Sequence, residues 1–217
     1  SGLADTSGVQ YATLGNASSV RVNDGGGNRR VVGIFDGRLY VSAASGSFQS
    51  LSTMDDPLPK GPGQDPEAVL PGMPTASGSS IYDFWFRDSS TVYLASESNA
   101  ANNGGIQKWT FDGADWSLAY VLLNTGAATT AVRGLTGMID SNGDTILYAT
   151  TTQTSNNNLI SIVDGGAGGG TPTILASAGQ NRVFRGVEYI EVPIPEPASM
   201  ALFGLATLVV AAWKRRR

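Results

Sequence analysis

Several groups of residues in this chain have the types and spacing to do chemistry. Asp140-Ser141-Asn142-Gly143-Asp144 puts oxygen ligands at alternate positions, as a loop wrapping a hard cation does, so Asp140, Asn142 and Asp144 are metal candidates. The bidentate Glu that such a loop carries further on is absent. Asn-Gly favours positive φ at both central positions, so a hairpin turn is the expected structure, and no cofactor is expected. Arg133 and Arg185 stand 52 residues apart, each followed by Gly. Near a common axis they would face an anionic ligand; otherwise each would cap loop carbonyls or pair with an acid on an adjacent sheet. Asp55, Asp56, Asp65 and Glu67 lie among Pro and Gly. Acid–base pairs must be fixed about 5–10 Å apart, so this stretch predicts solvated carboxylates instead. Trp109, Trp116 and Tyr120 could stack on sugar rings, although such residues more often pack between sheets. The Gly-rich run at 165–170 has no following Lys-Ser/Thr and no helix pattern, so it does not read as a phosphate loop.

Composition narrows the mechanisms further. The chain has no Cys and no His, which removes thiolate catalysis, disulfides and the commonest general base and metal ligand. No catalytic motif is found, and the expectation is a protein that is not an enzyme. Residues 1–213 hold ten basic against 18 acidic residues, because the last four positions are all cationic. An acidic body disfavours nucleic acid, whose phosphates need clustered cations.

The elements that must position these residues are short strands. With 28 Gly and 10 Pro, and no long amphipathic period before position 198, the body reads as all-β. A Tyr in an apolar pentad recurs at Tyr40, Tyr93 and Tyr148, spaced 53 and 55 residues apart. Each pentad follows a turn signal (Asp36-Gly37, Asp88-Ser89-Ser90, Asn142-Gly143-Asp144), and another apolar strand precedes each turn. Phe184-Arg185-Gly186-Val187 echoes Val132-Arg133-Gly134-Leu135. Each unit therefore predicts four strands in up-and-down order, the pattern of one propeller blade. The expected organisation is a partial β-propeller over 1–192, with units at about 23–78, 79–126 and 127–181. Partial blades are expected at 1–22 and 182–192. The stretch 55–80 reads as a surface excursion, and 9–14 as an outer strand. Three whole blades and two partial ones fall short of a typical ring, so open edges are expected at both ends.

The last residues form three blocks: Pro195-Glu196-Pro197, an apolar run at 198–213, and Trp213 followed by Lys214, Arg215, Arg216 and Arg217. The prolines separate body from tail. As a helix the apolar run spans roughly 24 Å, slightly short of a hydrocarbon core. The terminal cations set orientation, with the C-terminus cytoplasmic and the body outside.

These ordered blocks resemble the PEP-CTERM sorting tail of Gram-negative bacteria. The resemblance covers 193–217 and implies a single transmembrane helix at 198–213 as a transient inner-membrane anchor. It also implies recognition of Pro195, Glu196 and Pro197 by an exosortase, cleavage, and release to the surface or matrix. An ordinary C-terminal anchor is the plainer alternative. The resemblance further implies an association with exopolysaccharide or biofilm, and the body is similar to divergent propellers upstream of such tails. Gly104-Gly105 with Trp109 resembles one kelch repeat, but the other units lack that arrangement. A sorting tail serves an exported protein, so a signal-bearing region ahead of Ser1 is expected. The expected role is binding or scaffolding; the alternative is an extracellular propeller lyase or hydrolase using axial carboxylates.

Overall fold

The computed structural model describes residues 8–23, 27–62, 67–75, 80–123, 131–167 and 169–191. Asp65, the motif Pro195-Glu196-Pro197, the segment 198–213, and Trp213, Lys214, Arg215, Arg216 and Arg217 lie outside the described residues. Among the described residues no helix is long and apolar enough to cross a membrane.

The described residues are all-β. A small sheet pairs β1 (Gln10–Tyr11) with β2 (Val20–Arg21). Three four-stranded antiparallel meanders follow. The first holds β3 (Arg29–Phe35), β4 (Arg38–Ala43), β5 (Ser50–Met54) and β6 (Glu67–Val69). The second holds β7 (Ile81–Asp88), β8 (Thr91–Ser96), β9 (Gly105–Phe111) and β10 (Trp116–Leu122). The third holds β11 (Val132–Ile139), β12 (Thr145–Thr151), β13 (Asn158–Val163) and β14 (Thr173–Ser177). The stretch read as a surface excursion thus supplies β6, and the stretch read as one outer strand is half of a hairpin.

Local chemistry closes the turns. Asp36 and Gly37 have φ of 47° and 72°, a two-residue turn whose twist matches the flanking strands. Asp88, Asp112 and Asp140 each accept backbone N–H groups from the turn that follows, at 2.8–2.9 Å. All six residues of β8 are buried, as a strand covered on both faces must be.

The first strand of each four-stranded sheet carries a register shift near its start: between Arg29 and Val32, between Ile81 and Asp83, and between Val132 and Leu135. A bulge of this kind bends the strand and re-aims the extra residue. Beyond it, the strand's residue facing the marker Tyr is Gly33, Trp85 or Thr136. These cross-strand pairs align the three sheets residue by residue.

The aligned sheets stack through their first strands, β7 against β3 and β11 against β7. One face of each sheet leads into its predecessor and the other trails. On the leading face of the second sheet, Phe86 stacks on Phe35 with ring centroids 4.5 Å apart and lies 4.6 Å from Tyr40. Phe84 fits over Gly33, where a Cβ would stand 2.9 Å from its ring. At the next boundary Gly137 makes room for Trp85, whose ring would lie 2.8 Å from any Cβ there. Two apolar cores fill these boundaries.

Residues 184–191 form no ladder, yet they lie against β11, with Gly186 beside Gly134 and Glu188 and Tyr189 at Thr136. Tyr189 stacks on Tyr148 at 5.9 Å, its N–H meets Thr136 Oγ1 at 3.3 Å, and Asn157 clasps both backbone groups of Phe184.

Candidate functional site

The three bulges turn Arg30, Tyr82 and Arg133 toward one end of the first strands. Tyr82 lies between the two guanidinium groups, 4.8 Å from Arg30 and 5.5 Å from Arg133. Glu97, just past β8, ties the row together. It accepts from Arg133 Nε at 2.9 Å and from Ser80 Oγ at 3.0 Å, and Arg30 Nη2 approaches at 3.5 Å. Arg30 Nε is buried with no hydrogen-bond partner. Arg185 holds the corresponding place in the trailing segment and is exposed. The row alternates cation and ring face, which suits a planar carboxylate or the flat side of a sugar.

Beside this row Asp83 bridges two sheets. Its carboxylate accepts from Phe84 N at 2.8 Å and from Leu135 N, on the neighbouring sheet, at 3.0 Å. Burial pushes it up to about 6 against the pull of these N–H groups, and the negative Glu188 adds to the rise.

A second polar cluster spans the outer part of the same boundary. Asp164 accepts from Lys108 at 2.9 Å, from Tyr93 at 2.5 Å, from Tyr120 at 2.7 Å and from Gly166 N at 3.1 Å. Burial raises its carboxyl, but the hydrogen bonds from Tyr93, Lys108 and Tyr120 outweigh that and hold it at about 2. Burial and the adjacent carboxylate push the Tyr93 phenol to about 12. With every oxygen of Asp164 engaged, this cluster fastens sheets and has no open position for a ligand.

A third cluster closes the first sheet. Glu67 accepts from Nη1 and Nη2 of Arg29, with Ser52 and Asn23 as further donors. The Arg29 and Glu67 side chains are each 1% exposed. Burial is the main influence on Glu67 and raises its carboxyl, while Ser52 and Arg29 oppose it. The sequence had put Glu67 among solvated loop acids. Its burial corrects that expectation, because a charge there must be paired.

The structure brings Arg133 into the row above and places Arg185 beyond it. Asp140 uses Oδ1 to cap its own turn, so Asp140, Asn142 and Asp144 form a hairpin tip; Gly143 has positive φ but Asn142 does not, because the turn closes over Asp140–Asp144 and not over two residues. Among the described residues no three His, Cys, Asp or Glu gather as metal ligands do. Trp109 and Trp116 are 6% and 7% exposed and belong to the core between the first two sheets. Tyr120 sits in the Asp164 cluster.

Sequence reasoning missed Asp83, Lys108 and Asp164. A signal existed for two of them: Asp83 and Lys108 are charges inside otherwise apolar strands, where parity demands a partner. Asp164 precedes a Gly-rich turn and carries no such mark.

No curated protein matches the chain, and no solved structure matches it. Residues 193–217 match the family model of the PEP-CTERM protein-sorting motif, a signal that implies exosortase recognition, a membrane-anchored stage and export.

Proposed function

We propose that this chain is a surface or matrix protein of a Gram-negative bacterium, and that its body is a propeller-like stack that binds or scaffolds without chemistry of its own. The observation that carries the reading is the pairing of a sorting motif at 193–217 with three equivalent four-stranded sheets. In this reading Pro195, Glu196 and Pro197 are recognised, 198–213 anchors transiently, and Trp213 to Arg217 hold orientation. The end of the stack bearing Arg30, Tyr82, Arg133 and Arg185 is the binding face, with exopolysaccharide as the partner class. Support comes from the alternation of guanidinium and phenol groups there.

A second reading has one observation in its favour. Asp83 on β7 and Glu188 on the segment across β11 are near enough for the charge of Glu188 to raise the Asp83 carboxyl, and two interacting carboxylates are the raw material of a lyase or hydrolase. Against it, Asp83 uses both oxygens on backbone N–H groups.

The test is fractionation of cells making the full chain with and without a functional exosortase. The expected result is a shortened form outside the inner membrane only when the exosortase is present, and retention of uncut chain for Glu196→Ala. Equal release in both strains would refute the sorting part of the proposal. The binding part is tested by affinity electrophoresis in uronate-containing polysaccharide, where Arg133→Ala with Arg185→Ala should abolish retardation.

A further inference from the structure

We infer that two copies of this chain associate head to tail, the segment 184–191 of one copy docking on the bare part of the first sheet's leading face in the other. The inference rests on the equivalence of the sheets and not on any ligand.

Within one molecule the same contact is made repeatedly. A first strand presents its leading residues to the trailing residues of the strand before it. Phe86 against Phe35 is the clearest case. The alignment places Ile34 at the Phe86 position, because each is the next residue after the partner of the marker Tyr. It places Ile190 at the Phe35 position: Ile190 echoes Met138, which lies two residues past Thr136 as Phe35 lies two past Gly33. Ile34 is 66% exposed and Ile190 75% exposed. Among the described residues no sheet covers Ile34 on its leading side or Ile190 on its trailing side, and both are large aliphatics exposed to water.

The two ends also lack complementary parts. The leading face of the first sheet is covered by the β1–β2 hairpin, whose Val9, Val22 and Tyr11 pack on Val41, Met54 and Leu39. Val32, 51% exposed, and Ile34 remain bare beside a cavity of about 220 Å³. Among the described residues no first strand covers that face. Residues 184–191 take the place of a first strand beside β11, and among the described residues no sheet stands behind them. Joining them continues the interface the molecule has already built at two boundaries. Lys60 lines the cavity, and Glu188 and Glu191 are exposed on the docking segment, so charge favours the union. Such a contact is heterologous, since the two partners contribute different surfaces. A single strand buries less than a standard interface, so the association is weak and best trapped covalently.

The absence of Cys from the chain makes the test clean. Ile34→Cys and Ile190→Cys are prepared separately in the full chain, held in mild detergent, and oxidised alone and mixed. Both sites are exposed, so neither substitution opens the core. The expected result is a disulfide-linked dimer in the mixture at least ten-fold above either variant alone. Equal dimer from Ile34→Cys alone would mean a symmetric contact and overturn the inference. So would an intramolecular disulfide in a chain carrying both Ile34→Cys and Ile190→Cys, or no cross-link at all in the mixture. Sedimentation of the cysteine-free chain gives an independent reading: association rises with concentration, and Ile34→Asp weakens it at least ten-fold.

Discussion

The two boundaries between the three sheets share a geometry and differ in chemistry. Between the first and second, Phe35, Tyr40, Phe84, Phe86 and Trp116 interlock, and burial of aromatic surface does the holding. Between the second and third, an aliphatic core is fastened by charge at both margins: Asp83 on Leu135 N at one side, Lys108 with Asp164 at the other. Gly137 replaces the aromatic of the first boundary, and Trp85 from the opposite sheet fills the space. The stacking register is therefore set by the bulged first strands and the marker Tyr, and side-chain chemistry can vary within it. The displaced carboxyls of Asp83 and Asp164 both lie at the second boundary, which should therefore respond to pH more than the first.

The largest effect should come from the aromatic boundary. Phe86→Ala removes a ring 7% exposed and leaves Phe35 and Tyr40 facing a void. A loss of about 4 kcal/mol is expected in urea unfolding, the same at pH 5 and pH 8. A pH-dependent loss would break the contrast between boundaries.

Asp164→Ala should cost about 3 kcal/mol, because Lys108, Tyr93 and Tyr120 lose their common acceptor in a partly buried place. The stabilisation from Asp164 is complete above about pH 4 and is lost as pH falls toward 2, since its folded carboxyl is held below the unfolded one. Acid titration of the variant should lack that limb.

Asp83 works in the opposite direction. Its carboxyl sits at about 6 in the folded chain, against roughly 4 when unfolded, so between these values the folded state holds the proton more tightly. Stability should fall as pH rises through this window, by about 3 kcal/mol in all, and Asp83→Asn should flatten the slope. A slope unchanged in that variant would assign it to another group.

The smallest effect belongs to the guanidinium row. Glu97→Gln should cost under about 1 kcal/mol, because its pairs with Arg30 and Arg133 are partly solvated. Unfolding curves within error of the parent, together with stronger anion retention, would sharpen the distinction between the row proposed to bind and the clusters that fasten.

Much of the architecture was legible because periodicity and turn chemistry are local. The Tyr pentads and the Asp-Gly, Asp-Ser-Ser and Asn-Gly turns mark β3–β4, β7–β8 and β11–β12 without reference to anything distant. The strand β6 was not legible, since three residues among Pro and Gly show no alternation. Only the buried Arg29 at the far side of the sheet explains why Glu67 lies in a strand. The site was legible in part. Arg133 and Arg185 stood out by repetition, whereas Tyr82 and Glu97 join the row through a bulge and a sheet stacking that no short window reveals.

The central claim is that the three sheets are copies of one unit stacked in one register, and nuclear magnetic resonance of the glycine α-protons tests it most directly. Gly33 lies under the Phe84 ring and Gly137 under Trp85. Both glycines should show strongly ring-shifted α-protons, with nuclear Overhauser contacts from Gly33 to Phe84 and from Gly137 to Trp85. Glycine α-protons at ordinary shifts, with no contact to those rings, would contradict it.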